Sequence, residues 1–305
     1  MPDSVARPVQ TLRDQATKLE AALSVCLAEP TRKAVHELRT ETRRVEAQLE
    51  LLRMISGLPR YRKPAEKLLK RLRKLRRLAG EVRDCDVQDK LLADDEGQLS
   101  VQGEDSGHLD RDRETLQKHL RQERSRAEHK LVDYLQRRQP KVARELEDLL
   151  RALKPAEDLE ARAEDLAESI SRRVERALRS RHMDVEHLHE LRKTTKRARY
   201  QCETLAGPMA AAAAKRMEEV QDAGGAWHDL LDLSDRAAKD LGADHSLGGV
   251  LQLLRAERLA AYVAKLDGMR AAKGAGRPAL SQKRASRDGT EPRQSTGGRR
   301  RAKAA

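Results

Sequence analysis

The sequence predicts an all-α protein built as two four-helix bundles, and three observations carry that expectation. Charged residues make up 37% of the 305 positions, with no Phe and one Trp, Trp227, in a chain dominated by Leu, Ala, Arg and Glu. This is the composition of long amphipathic helices. Apolar residues recur with the helical period along most of the chain. One nine-residue pattern also occurs twice, as "HELRTETRR" from His36 to Arg44 and "HELRKTTKR" from His189 to Arg197.

The elements follow in order. Helical periodicity runs from about Thr11 to Ala28, from after Pro30 to Ile55, from Pro64 to Leu78 and from Val82 to Leu92. Residues 94–110 hold six acids, three glycines and no Lys or Arg, and read as an exposed acidic loop. A long helix follows from Arg111 to about Gln139, where Pro140 starts or kinks a further segment to Leu153. Pro155 marks a boundary. Beyond it helices run to about His182, from Val185 to Leu205, from Pro208 to Leu241 and from Ser246 to Leu266. Each half, 8–153 and 156–268, thus offers about four helices whose apolar faces need partners. Residues 269–305 form a basic tail, with Gly, Pro, Ser and Arg in no periodic order, and are expected to be disordered.

The net charge of +13 is unevenly spread. Residues 270–305 carry eleven Lys/Arg against Asp288 and Glu291, a tail charge of +9 that leaves +4 for residues 1–269. Binding of a polyanion by the folded part must therefore rest on where its charges cluster. Cys26, Cys85 and Cys202 are odd in number and lack CxxC spacing, which argues against a disulfide framework or a zinc site and suits a reducing cytoplasm. The stretch "MPDSVARPVQTLRDQ" has no apolar signal core, and no run approaches the roughly 20 apolar residues that span a bilayer, so a cytoplasmic protein without membrane contact is expected.

Shifted by 153 positions, His36 to Leu52 aligns with His189 to Leu205 with nine identities in seventeen, so the chain reads as an internal repeat. A weaker echo follows each copy: "LAGEVRDCDV" and "DAGGAWHDLLDL" share a glycine, an apolar residue and a basic-Asp pair, Arg83-Asp84 against His228-Asp229. At about 100° per residue, His36, Arg39, Thr40 and Arg43 share one helix face, and Leu38, Val45, Leu49 and Leu52 the opposite one. In the second copy His189, Arg192, Lys193 and Lys196 oppose Leu191, Ala198, Cys202 and Leu205, which makes Cys202 a core residue. A solvated face is usually laced with i,i+4 acids, whereas Arg192, Lys193, Lys196, Arg197 and Arg199 face Glu190 alone. The next helix adds Lys63, Lys67, Lys70, Lys74 and Arg77 as a further stripe. Like charges this close call for an anion to neutralise them.

The doubled pattern H-x-x-R-x-x-x-[RK]-R, its second copy ending in "KRARY", with "VRDCDV" downstream of the first, resembles the CHAD family, the conserved histidine α-helical domain, over about residues 8–268. The resemblance implies two four-helix bundles related by a pseudo-twofold, a basic central groove lined by the His- and Arg-bearing helices, and inorganic polyphosphate as ligand. It implies a site at His36, Arg39, Arg43, Arg44, His189, Arg192, Lys193, Lys196, Arg197 and Arg199, with Lys70, Lys74, Arg77 and Arg83 in support. Where the first copy should carry a further arginine, the counterpart of Arg199, this chain has Glu46.

Three other readings compete. One His per motif among cations is a poor metal site, and His187 and His189 stand about 200° apart on a helix. Domains of this family often adjoin a triphosphate-hydrolysing domain marked by ExExK; neither that signature nor a P-loop occurs here, so a non-enzymatic binder without cofactors is expected. Four Tyr and one Trp offer no stacking platform for single strands, but the tail "GGRRRAK" resembles arms that contact duplex backbones, which leaves weak nucleic-acid or other acidic-surface contact open beside polyphosphate and its granules.

Overall fold

The computed structural model describes residues 5–94, 106–180, 183–242 and 244–275. They form eight α-helices: α1 (Pro8–Ala28), α2 (Arg32–Leu52), α3 (Arg62–Asp94), α4 (Ser106–Leu153), α5 (Ala163–Leu178), α6 (Val185–Cys202), α7 (Pro208–Leu241) and α8 (Gly248–Ala275). One element was not expected. Val5–Ala6 (β1) pairs antiparallel with Ala161–Arg162 (β2), and with the Arg7–Glu160 and Arg13–Glu157 ion pairs it fastens the start of the chain to the start of the second half. Most of the expected acidic loop and the tail beyond Ala275 lie outside the described residues.

Several boundaries differ from the sequence reading, each for a visible reason. α3 runs unbroken through Ala79 and Gly80, because Leu68, Leu72, Leu75, Ala79 and Val82 continue one buried stripe at spacings of three and four. α4 likewise runs through Pro140, which is exposed, as is Gln136, whose carbonyl the proline leaves without its helical donor. Water can satisfy that carbonyl. α5 starts only at Ala163, after a single 3-10 turn at Lys154–Ala156 and β2. α8 runs on to Ala275, past the expected boundary at 268, and Arg270 donates from Nε to the Leu178 carbonyl and from Nη2 to that of Ser180, both at 3.1 Å, tying α8 to the end of α5.

Three apolar cores hold the helices. α1 to α4 enclose the first, with Leu12, Leu19, Leu38, Leu72 and Leu131 almost fully buried. α5 to α8 enclose the second around Ile170, Leu191, Trp227 and Tyr262. The third joins the two halves at the far ends of the α3/α4 and α7/α8 hairpins, through Leu92, Leu116, Leu230, Leu233 and Leu251. The halves are therefore fused and not merely tethered. No described helix is long and apolar enough to cross a membrane.

Candidate functional site

α2 and α6 are the two helices that carry the doubled pattern, and they pack against each other. Each starts with a side-chain cap: Thr31 Oγ1 accepts from the Ala34 amide at 3.2 Å, and an Asp184 carboxylate oxygen accepts from the His187 amide at 2.8 Å. The apolar faces read from the sequence are buried, including Cys202, whose thiol is pushed up to about 12 by burial. The residues shared between the copies hold the interface. Thr42 and Thr195 are fully buried and donate back to the carbonyls of Arg39 and of Leu191 and Arg192. Gln201 Nε2 donates to the Ala47 carbonyl of α2 at 3.1 Å, and Thr204 donates to Gln48 Oε1 at 3.2 Å. Ion pairs cross reciprocally, Arg197 of α6 to Glu50 of α2 at 3.2 Å and Arg44 of α2 to Glu203, just past the end of α6, at 3.9 Å.

Beside this interface the two helices, with α3, bring their cations together, and α7 adds Asp229 and Asp232. Burial holds the Lys196 ammonium down to about 7, with Arg43, Arg192, Arg39 and Arg199 adding repulsion. Burial and then Arg39 lower the Arg43 guanidinium to about 10. Arg39 and Arg192 are also lowered by burial, against the pull of Asp84 on the first and of Asp229 and Asp232 on the second. Arg39 reaches Asp84 at 3.4 Å. Among the described residues no carboxylate stands within ion-pair distance of Arg43, Arg83, Arg192 or Lys196, and the buried Nε of Arg192 has no hydrogen-bond partner. Charges so placed cost free energy unless an anion joins them.

The two histidines flank this cluster. His36 is exposed at its surface, yet partial desolvation and the nearby Arg83, Lys196 and Arg39 hold its pKa below the ordinary 6.5. His189 is lowered by burial, Lys193, His228 and Arg192. Its Nδ1 lies 2.9 Å from Nε2 of His228, and Nδ1 of His228 lies 3.0 Å from the Asp232 carboxylate. No group of three or more His, Cys, Asp or Glu among the described residues is placed to hold a metal ion.

Residues 10–238 match the family model of the CHAD domain. The chain belongs to the CHAD family. Its fold is similar to that of PptA from Streptomyces chartreusis, with a TM-score of 0.66 at 18% identity over 88% of this chain and 98% of that one. It is also similar to the CHAD domain from the plant Ricinus communis, with a TM-score of 0.59 at 22% identity over 91% and 94% of the two chains. No curated protein matches the sequence. All of α8 lies beyond the matched residues, yet it completes the second core of this CHAD domain through Tyr262 and Leu266.

This cluster does not contain every residue expected in the groove. His36, Arg39, Arg43, Arg83, Arg192, Lys196 and Arg199 come together. Arg44, Lys193, Arg197 and Arg199 are tied to carboxylates: Arg44 to Glu41 and Glu203, Lys193 to Glu190, Arg197 to Glu50, and Arg199 to Glu203 and Glu218. Lys70, Lys74 and Arg77 are exposed and stand about 100–160° around α3 from Arg76, which faces Arg39 and Arg43, so the stripe expected to support the site points elsewhere. Arg76 takes that place. It pairs with Glu46, the departure noted in the first copy, and adds to the field at Arg39 and Arg43. Helical phase could have found it, since Arg76, Gly80 and Arg83 follow at i, i+4 and i+7. The weaker echo is also accounted for. Asp84 meets Arg39, and Asp229 lies in the field of Arg192 with its own pKa raised by burial.

Proposed function

We propose that this CHAD domain binds inorganic polyphosphate in the groove beside the α2–α6 interface and does not turn it over. The observation that carries the reading is the half-buried set Arg43, Arg192 and Lys196, held on two rigid helices with no carboxylate within ion-pair distance among the described residues. A chain of closely spaced phosphates supplies the missing charge continuously, and its flexibility lets it follow fixed cations. Arginine forks grip pairs of phosphate oxygens, while Lys196 adds a point charge. The paired arginines at the margins, Arg44, Arg197 and Arg199, hold the helices in register and shape the rim. The same chemistry would direct the protein to polyphosphate granules. Three buried free thiols suit a reducing, cytoplasmic setting.

Calorimetric titration of the full chain with long polyphosphate, duplex DNA and triphosphate at equal salt tests the reading. Long polyphosphate should bind most tightly, with affinity falling at least ~10-fold between about 50 and 200 mM salt as counterion release predicts. Triphosphate spans few of the groove cations and should bind weakly, without phosphate release. DNA binding as tight as polyphosphate binding, or hydrolysis of triphosphate, would overturn the proposal.

A further inference from the structure

Beside the groove, Asp232, His228 and His189 form a chain of three side chains with contacts of 3.0 and 2.9 Å. The chain is firmly held. His228 and Asp232 are i,i+4 neighbours on α7, and His228 packs edge-on against Trp227, with centroids 6.3 Å apart. Trp227 stacks on Tyr262, whose hydroxyl donates to the Leu188 carbonyl one residue before His189. His189 Nε2 makes no hydrogen bond among the described residues.

We infer that His228 and Asp232 are positioning residues that set, by one proton, whether His189 Nε2 accepts or donates a hydrogen bond, and so whether it repels or binds a phosphate oxygen. Hydrogen counting along the three side chains leads there, and the ligand step rests on the polyphosphate reading. A carboxylate at Asp232 requires a hydrogen on His228 Nδ1. When His228 is neutral its Nε2 is a lone pair, so His189 must donate from Nδ1. His189 Nε2 is then an acceptor. When His228 takes up a second proton, its Nε2–H donates to His189 Nδ1, and the hydrogen of His189 must sit on Nε2. The ring becomes a donor without acquiring charge.

The surroundings favour this division of labour. On α6, Lys193 and Arg192 oppose a positive charge on His189, with Glu190 offsetting them in part. His228 instead has Asp232 and Asp229 on its own helix and Asp84 from α3. From α8 comes only the phenol of Tyr262, through Trp227. Those carboxylates also face Arg192 of α6 and Arg39 of α2, while Asp232 alone among them contacts the His228 ring directly.

Long-range proton–nitrogen NMR of the histidine-labelled full chain, without ligand, reads the tautomers directly. As pH falls from 9 to 5, His189 should pass from the Nδ1–H to the Nε2–H form in step with His228 titration while staying neutral. Asp232→Asn should move that step to lower pH, since it removes an adjacent charge. His228→Gln should turn its amide NH2 to Asp232 and its carbonyl to His189, fixing the Nδ1–H form at every pH. That variant should bind polyphosphate like the wild type at pH 8.5 and ~10-fold more weakly at pH 6, the worth of one charge-assisted hydrogen bond. A tautomer that ignores pH, or a step unmoved by Asp232→Asn, overturns the relay while leaving the groove reading intact. A tautomer switch with no change of His228→Gln affinity at pH 6 overturns the role of His189 toward phosphate. Equal weakening at both pH values marks a packing role only and overturns the inference.

Discussion

Glu46 of α2 holds the guanidinium of Arg76 of α3 through both of its carboxylate oxygens, at the position where the second copy of the pattern carries Arg199. The groove thus gains an arginine from the neighbouring helix and loses its net charge to the glutamate. Glu46→Gln should release Arg76 toward a bound anion. We expect polyphosphate affinity to rise ~3–10-fold, at a stability cost of about 1 kcal/mol or less for a half-buried pair. Calorimetric titration and a thermal melt read the two effects separately.

Lys196 exchanges stability for binding. Its pKa lies at about 7, far below the usual lysine value of 10.5, because burial and four arginines oppose the charge. Between these values the unfolded chain holds more protons than the folded one, so stability rises with pH; the penalty is complete below about pH 7 and gone above 10.5. Lys196→Met should therefore stabilise the ligand-free protein at pH 6, by about 1–2 kcal/mol, and do little at pH 10. The same variant should bind polyphosphate ~10-fold more weakly at pH 6. Melts at the two pH values, beside titrations, check both halves.

Gly80 lets α3 approach Arg39. A Cβ there would stand 2.8 Å from Nη1 of Arg39, the movable end of a long side chain. Gly80→Ala should leave the melting temperature unchanged or higher, since alanine favours helix by up to ~1 kcal/mol, while displacing Arg39 and weakening polyphosphate binding several-fold. Gly224 is the contrasting case. A Cβ there meets the ring of Tyr262 at 2.8 Å, and that ring is stacked on Trp227 and cannot yield, so Gly224→Ala should cost ~2 kcal/mol of stability.

What the sequence disclosed follows from what local pattern can encode. The doubled helices, their buried faces and the core role of Cys202 are matters of phase along one helix, and the structure agrees at each of these positions. The continuity of α3 was missed because Gly80 looks like a breaker until Arg39 is seen filling the space beside it. Charge alone favours Lys70, Lys74 and Arg77, whereas the contribution of Arg76 depends on its phase relative to Leu72 and Leu75. The contacts of Glu41, Glu50 and Glu203 with arginines, and of His228 with His189, cross between helices or depend on burial that spacing alone does not set.

The end of α8 sets where the chain can be cut. A protein ending at residue 275 should melt with the full chain and keep its polyphosphate affinity. One ending at 269 loses the bonds from Arg270 to the Leu178 and Ser180 carbonyls and should be less stable by about 1–2 kcal/mol. Thermal denaturation of the two truncations beside the full chain decides it.

The most direct measurement is polyphosphate titration of two double variants, Arg39→Ala with Arg43→Ala on α2 and Arg192→Ala with Lys196→Ala on α6, beside the control Lys70→Ala with Lys74→Ala on the outer stripe of α3. Circular dichroism should show all three helical. The account predicts that each groove variant loses at least ~10-fold in affinity, the α6 pair at least as much as the α2 pair, and that the control stays within about twofold of the wild type. Wild-type binding by both groove variants, or a larger loss in the control, would contradict the groove.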